Sequence, residues 1–156
     1  MVESPGWTHG VPMVRRIVFI QGLFFVRWGA PHAEGCDFVR QTFAEGKGED
    51  RLYHIAVFSE DTPILDAGQR QAIVELIRDM LGSCSHVTAV VEARGASGAV
   101  LRSALSVARS LEARRCGLSI VDSLDRAVRW APGPLPSAAE LEPIFFEEPP
   151  LALQVA

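Results

Sequence analysis

The order of strand-like and helix-like segments limits this chain more than any single motif does. Two short β runs, residues 15–20 and 23–28, stand back to back with no room for a helix between them. From there to about Val128 the chain alternates. The strand candidates are runs of about four to eight residues rich in β-branched and aromatic types, and the segments between them repeat apolar residues every three or four positions. The resulting order, ββαβαβαβα, predicts a small α/β sandwich of the kind that binds partners. No segment carries a recognisable reaction motif.

At 156 residues the chain has the size of one domain, long enough to bury roughly two-thirds of its unfolded surface without staples. Cys36, Cys84 and Cys116 form no CxxC pair and are odd in number, so they are expected to be reduced and mostly buried in a cytosolic protein. Residues 1–13, with Pro5, Gly6, His9, Gly10 and Pro12, lack an apolar stretch of signal-peptide length and are expected to be a flexible leader. No run approaches the roughly 18 apolar residues of a membrane span.

The formal net charge of −4 is unevenly placed. Residues 131–156 hold Glu140, Glu142, Glu147 and Glu148 and no base, so the remaining fifteen acids are balanced by all fifteen bases in residues 1–130. A neutral body without a Lys/Arg stripe lacks the electrostatic footprint of a phosphate-backbone binder, so nucleic acid is not an expected partner.

Local signals mark the joints. After the strand at 53–58 and the polar turn Ser59-Glu60-Asp61-Thr62-Pro63, Asp66 stands three residues before Gln69, a capping-box pattern. The helix that starts there repeats Ile73, Ile77, Met80 and Leu81 on one face, beside Ala72 and Leu76, and is expected to end near Leu81 with Gly82 as its left-handed terminus. A strand at 87–92 leads to a helix capped by Ser97, with Leu101, Ala104, Leu105 and Ala108 inward. A short strand at 118–121 precedes a last helix capped by Ser123. The first helix, over 31–43, carries Gly35 inside it.

This order, the strand-turn-helix at 53–81 and the closing segment Leu118-Ser119-Ile120-Val121-Asp122-Ser123-Leu124-Asp125-Arg126-Ala127-Val128 resemble a STAS domain. That fold belongs to bacterial anti-sigma-factor antagonists and to cytosolic modules of some transporters. The resemblance covers about residues 14–130 and rests on motifs of low specificity. It implies a mixed, mostly parallel sheet of about five strands with helices mainly on one face. It also implies a bacterial, cytoplasmic signalling role. Antagonists of this kind carry a phosphorylated serine at the start of the second helix. The matching segment here, Ile64-Leu65-Asp66-Ala67-Gly68, keeps the acid and the glycine but has no hydroxyl, so Ala67 cannot take a phosphate. Ser59 and Thr62 stand upstream as substitute acceptors or as ordinary turn residues.

Other segments admit both a functional and a plain reading. The loop Glu92-Ala93-Arg94-Gly95-Ala96-Ser97-Gly98-Ala99 could hold a phosphate or carboxylate, yet it lacks the spacing of a P-loop, a dinucleotide fingerprint or a nucleophile elbow. A tight turn is its plainer reading. His9, His32, His54 and His86 show no metal-ligand spacing. Cys36 and His32 are four residues apart but have no third orienting group, which makes Cys36 a core residue. Glu60-Asp61 reads as a solvated turn.

Pro132, Pro134 and Pro136 make the connector to the tail extended, and Leu141, Ile144, Phe145, Phe146 and Leu151 follow among the glutamates. Phe145 and Phe146 are expected to anchor this acidic tail, either on an open face of its own sheet, which is favoured, or in another protein. Phe19, Phe24 and Trp28 of the first hairpin are expected to furnish that outer face, with Phe25 and Val26 opposite.

The expectation is therefore a single STAS-like domain acting as a non-catalytic, protein-binding module that uses no cofactor and no metal, with a homodimer possible. Its partner-facing residues would be Glu60, Asp61, Thr62, Asp66 and Ala67, with Arg94 and Ser97 at the neighbouring sheet edge. The alternative is a carrier of a small hydrophobic or anionic ligand, lipid-like or nucleotide-like. It would be held between sheet and tail or on the loop at 95–98. An enzyme using Cys36, His54 or Ser97 is the third option.

Overall fold

The computed structural model describes residues 7–8, 11–20, 22–46, 48, 52–111, 117–129, 131, 137, 139–141 and 143. The elements run β1 (Trp7–Thr8), β2 (Val11–Pro12), β3 (Val14–Ile20), β4 (Leu23–Trp28), α1 (Ala33–Gly46), β5 (Tyr53–Phe58), α2 (Ala67–Ser83), β6 (His86–Val91), α3 (Gly95–Leu111), β7 (Leu118–Val121) and α4 (Leu124–Arg129). Within the stretch expected as a leader, β1 and β2 pair as a two-stranded ribbon, and the Pro12 and Met13 carbonyls accept hydrogen bonds from the Ala30 and Gly29 amides. No helix among the described residues is long and apolar enough to cross a membrane.

The other five strands form one mixed sheet in the order β3-β4-β5-β6-β7. β3 is antiparallel to β4, with a register irregularity between Val14 and Arg16, and all later pairs are parallel. Strand order equals chain order, so each crossover advances by one strand in the same direction. Right-handed connections of that kind place successive helices on the same side of a sheet. The packing agrees. Cys36, Val39 and Phe43 of α1, Ile73, Leu76 and Ile77 of α2, and Leu101, Leu105 and Ala108 of α3 share one core with Phe24, Val26, Trp28, Ala56, Phe58, Val87, Ala89 and Val91.

The opposite sheet face is covered as well. Leu23, Phe25, Tyr53, Ile55, Val57, Val90 and Val121 pack with Leu124 and Ala127 of α4 and with Leu141 beyond it. The Tyr53 hydroxyl donates to the Ala127 carbonyl at 3.2 Å and accepts from the Thr88 hydroxyl, which ties α4 to the sheet. Ser137 and Glu140 cap each other: the Glu140 carboxylate accepts from the Ser137 amide at 2.8 Å, and Ser137 Oγ accepts from the Glu140 amide at 3.3 Å. This box precedes Leu141 and helps set its direction. Phe145 and Phe146 lie outside the described residues.

Three local expectations are corrected. Phe24 and Trp28 face the helices instead of the outer side, Phe19 packs against that same core, and Val26 joins them because side chains alternate with period two. Phe25 alone of this set points to the other face. Gly82 lies inside α2, which continues to Ser83 and is capped by Cys84 in extended conformation. Ser97 lies inside α3, which starts at Gly95, and so does not cap it.

Candidate functional site

Parallel strands in an open α/β sheet leave their loops at one edge, and ligands of such sheets gather at the carboxyl ends of the strands. At that edge a cleft of about 580 Å³ is bounded by Arg27 near the end of β4, Glu60 after β5, the segment Val91–Arg94 after β6, Arg102 of α3 and the segment 122–125 after β7. Its walls are mostly charged. Val91, Ala93 and Leu124 supply the apolar part.

The loop between β5 and α2 is shaped by its own hydrogen bonds. Ser59 Oγ donates to the Trp28 carbonyl at 2.8 Å, and the Thr62 amide donates to the Ser59 carbonyl at 3.0 Å. Asp66 then caps α2 as expected: its Oδ1 accepts from the Gln69 amide at 2.8 Å, and Gln69 Oε1 accepts from the Asp66 amide at 2.9 Å. Gln69 is held in turn by donating to the Pro31 carbonyl at 2.9 Å. Between these fixed points Leu65 is buried, while Ile64 is 60% exposed.

On the other side of the cleft, β6 turns into α3 through Gly95 at φ +63°, a conformation suited to glycine. A Cβ on Gly98 would lie 2.1 Å from the Ala93 carbonyl oxygen, so the chain can fold this closely only where that side chain is missing. Ser97 Oγ reaches across to donate to the Thr62 carbonyl at 2.9 Å.

The expected partner-facing residues thus divide. Glu60, Asp61, Asp66, Ala67 and Arg94 are exposed, and Glu60 and Arg94 share the cleft. Asp61 is paired with Arg15 of β3. Ser97 is half-buried and spends its hydroxyl on Thr62. Thr62 is corrected: it is 2% exposed and offers no face to a partner, although its hydroxyl has no hydrogen-bond partner among the described residues. Ser59 is wholly buried. Neither hydroxyl is available to a kinase in this conformation.

Sequence reasoning missed Arg27, Arg102 and the segment 122–125, and it gave Glu92, the first residue of the loop at 92–99, no role of its own. Glu92 and Asp122 each directly follow a parallel strand, and that position was the available signal. Burial pushes the half-buried Glu92 carboxyl above its ordinary value; Arg27 opposes the shift, and Glu60 and Asp61 add to it. Arg27 itself cannot be found by this rule, because it lies within a strand.

The catalytic candidates are dispersed. Cys36 is buried and its thiol is pushed up to about 12, mainly by desolvation, with Arg40 only partly opposing. His54 is buried in β5, stacked on Phe24, and donates from Nδ1 to the Phe24 carbonyl at 2.9 Å. No cluster of three or more metal-ligating side chains occurs among the described residues. A second concavity, about 520 Å³, lies between α2 and α3 and is lined by Val74, Val100, Ala104 and Val107 beside Arg70.

No family model, curated protein or solved structure matches this chain.

Proposed function

We propose that this chain is a non-catalytic regulatory module, resembling the STAS domain of anti-sigma-factor antagonists, which acts by binding a protein partner through the loop before α2. The observation that carries this reading is Ile64. It stands 60% exposed on a loop whose neighbours Ser59, Leu65 and Asp66 are fixed by burial or hydrogen bonds. An apolar side chain held out on a rigid support, with Glu60, Asp61 and Asp66 nearby, is the arrangement of an interface anchor ringed by polar groups. The sheet with strands in chain order and three helices on one face supports the STAS-like reading.

Regulation in this reading comes from partner binding and not from phosphate at the helix start. Ala67 has no hydroxyl, and the hydroxyls of Ser59 and Thr62 are buried. The test is an affinity capture from the native organism with full-length protein beside Ile64→Asp, each checked for an unchanged melting temperature. One partner recovered with the unaltered chain and lost with Ile64→Asp supports the proposal. A partner retained by the variant, or none with either protein, removes it.

A further inference from the structure

The charges around the cleft do not cancel evenly. Asp122, just before α4, pairs with Arg126 at 3.2 Å, and Asp125 pairs with Arg129 at 2.5 Å, each four residues on. Arg27 is the cation that offsets Glu92. The guanidiniums of Arg94 and Arg102 make no hydrogen bond or ion pair among the described residues. Of the acidic side chains lining the cleft, only Glu60 is left to face these two guanidiniums.

Arg102 is also placed by the fold. One of its guanidinium nitrogens lies 3.1 Å from where a Cβ on Gly98 would be, so the bare first turn of α3 leaves the room this side chain uses. Guanidinium groups match phosphate oxygens with paired donors, a geometry that an ammonium does not reproduce. The volume of about 580 Å³ falls in the range of small-molecule sites, and its place at the carboxyl ends of parallel strands is where such sites occur.

We propose that this cleft binds a small phosphate-bearing molecule, with the phosphate held between Arg94 and Arg102 and the hydroxyl or amino donors of the ligand directed at Glu60 and Glu92. The proposal does not rest on the protein-binding reading, because ligand titration needs no partner. It gives the cleft a use that Ile64, on the loop beside it, does not.

The experiment is a titration of the ¹⁵N-labelled full chain, followed by amide signals, with inorganic phosphate and separately with AMP. Arg94→Ala and Arg102→Ala are compared with the unaltered protein, and Arg109→Ala, on the same helix but outside the cleft, is the control. Saturable shifts at residues 92–98 and 122–125 are expected, weakened at least about tenfold by either cleft substitution, as fits the loss of a charge-assisted hydrogen bond. Tighter binding of AMP assigns the site to an organic phosphate, and equal binding assigns it to the free anion. The proposal is overturned by no saturable shift with either probe at millimolar concentration. It is overturned equally by shifts that survive both cleft substitutions or that Arg109→Ala abolishes to the same degree.

Discussion

Ser97 Oγ donates a hydrogen bond to the Thr62 carbonyl at 2.9 Å and so joins the first turn of α3 to the loop that precedes α2. The two connections leave adjacent strands at the same sheet edge. Through this contact they act as one surface, with Glu60 on one side and Arg94 on the other.

Ser97→Ala should cost about 1 kcal/mol, the net worth of a typical hydrogen bond, and should loosen the loop more than the domain. Hydrogen exchange at residues 59–66 is expected to rise while the central strands keep their protection. Unchanged exchange in the loop would show that Ser97 does not hold it.

Gly98→Ala tests the close approach of the chain to itself. The new methyl would meet the Ala93 carbonyl oxygen, a backbone atom that cannot rotate away, so a loss of about 3 kcal/mol is expected, at the upper end for overpacking. Gly48→Ala, which meets nothing within 4 Å, should be neutral to slightly stabilising in the same denaturant titration.

Burial pushes the His54 imidazole down to about 4 from an ordinary 6.5, although its hydrogen bond to Phe24 opposes the shift. The unfolded chain therefore takes up a proton at higher pH than the folded one. Stability supplied by the neutral ring is fully present above pH 6.5 and is lost as pH falls toward 4, by about 3 kcal/mol in all. His54→Asn, which keeps a donor for the Phe24 carbonyl but does not titrate, should flatten the pH dependence of urea unfolding across that window. An unchanged slope would remove His54 as its source.

Leu141 is 1% exposed against the outer sheet face, with Ala131 packed on the same cluster. Leu141→Ala should destabilise the whole domain by about 2–5 kcal/mol, as expected for a buried leucine. Thermal unfolding read in the sheet is the check, and a loss under half a kcal/mol would mean that the segment adds nothing to the core.

Much of this architecture was legible because its signals were local and repeated. β5 is buried at every position, as a central parallel strand requires, and its six residues were recognisable from type alone. The capping box of Asp66 and Gln69 was visible in four residues of sequence. The misassigned faces of Phe24 and Phe25 needed tertiary information, since a strand buried on both sides hides which side holds the helices. Ser97 failed as a cap for a related reason: the positive φ of Gly95 starts α3 earlier than the pattern of polar residues suggests. Gly35, which made the first helix look weak, is accounted for by proximity. A Cβ there would lie 3.3 Å from the Trp28 ring, so its absence lets α1 settle onto the sheet. The cleft was the least legible part, because its walls come from one strand, the segments that follow three others and a helix, which only the sheet brings together.

The register of β3 is irregular between Val14 and Arg16, at the outer margin of the sheet where Arg15 and Arg16 also stand, and such an irregularity bends a strand. At the other margin β7 is only four residues long. A bent, doubly charged strand and a very short one are both poor templates for a strand from another molecule. A chain so rich in β-branched and aromatic strands is thereby guarded against growth into fibres at the two places where such growth would have to begin.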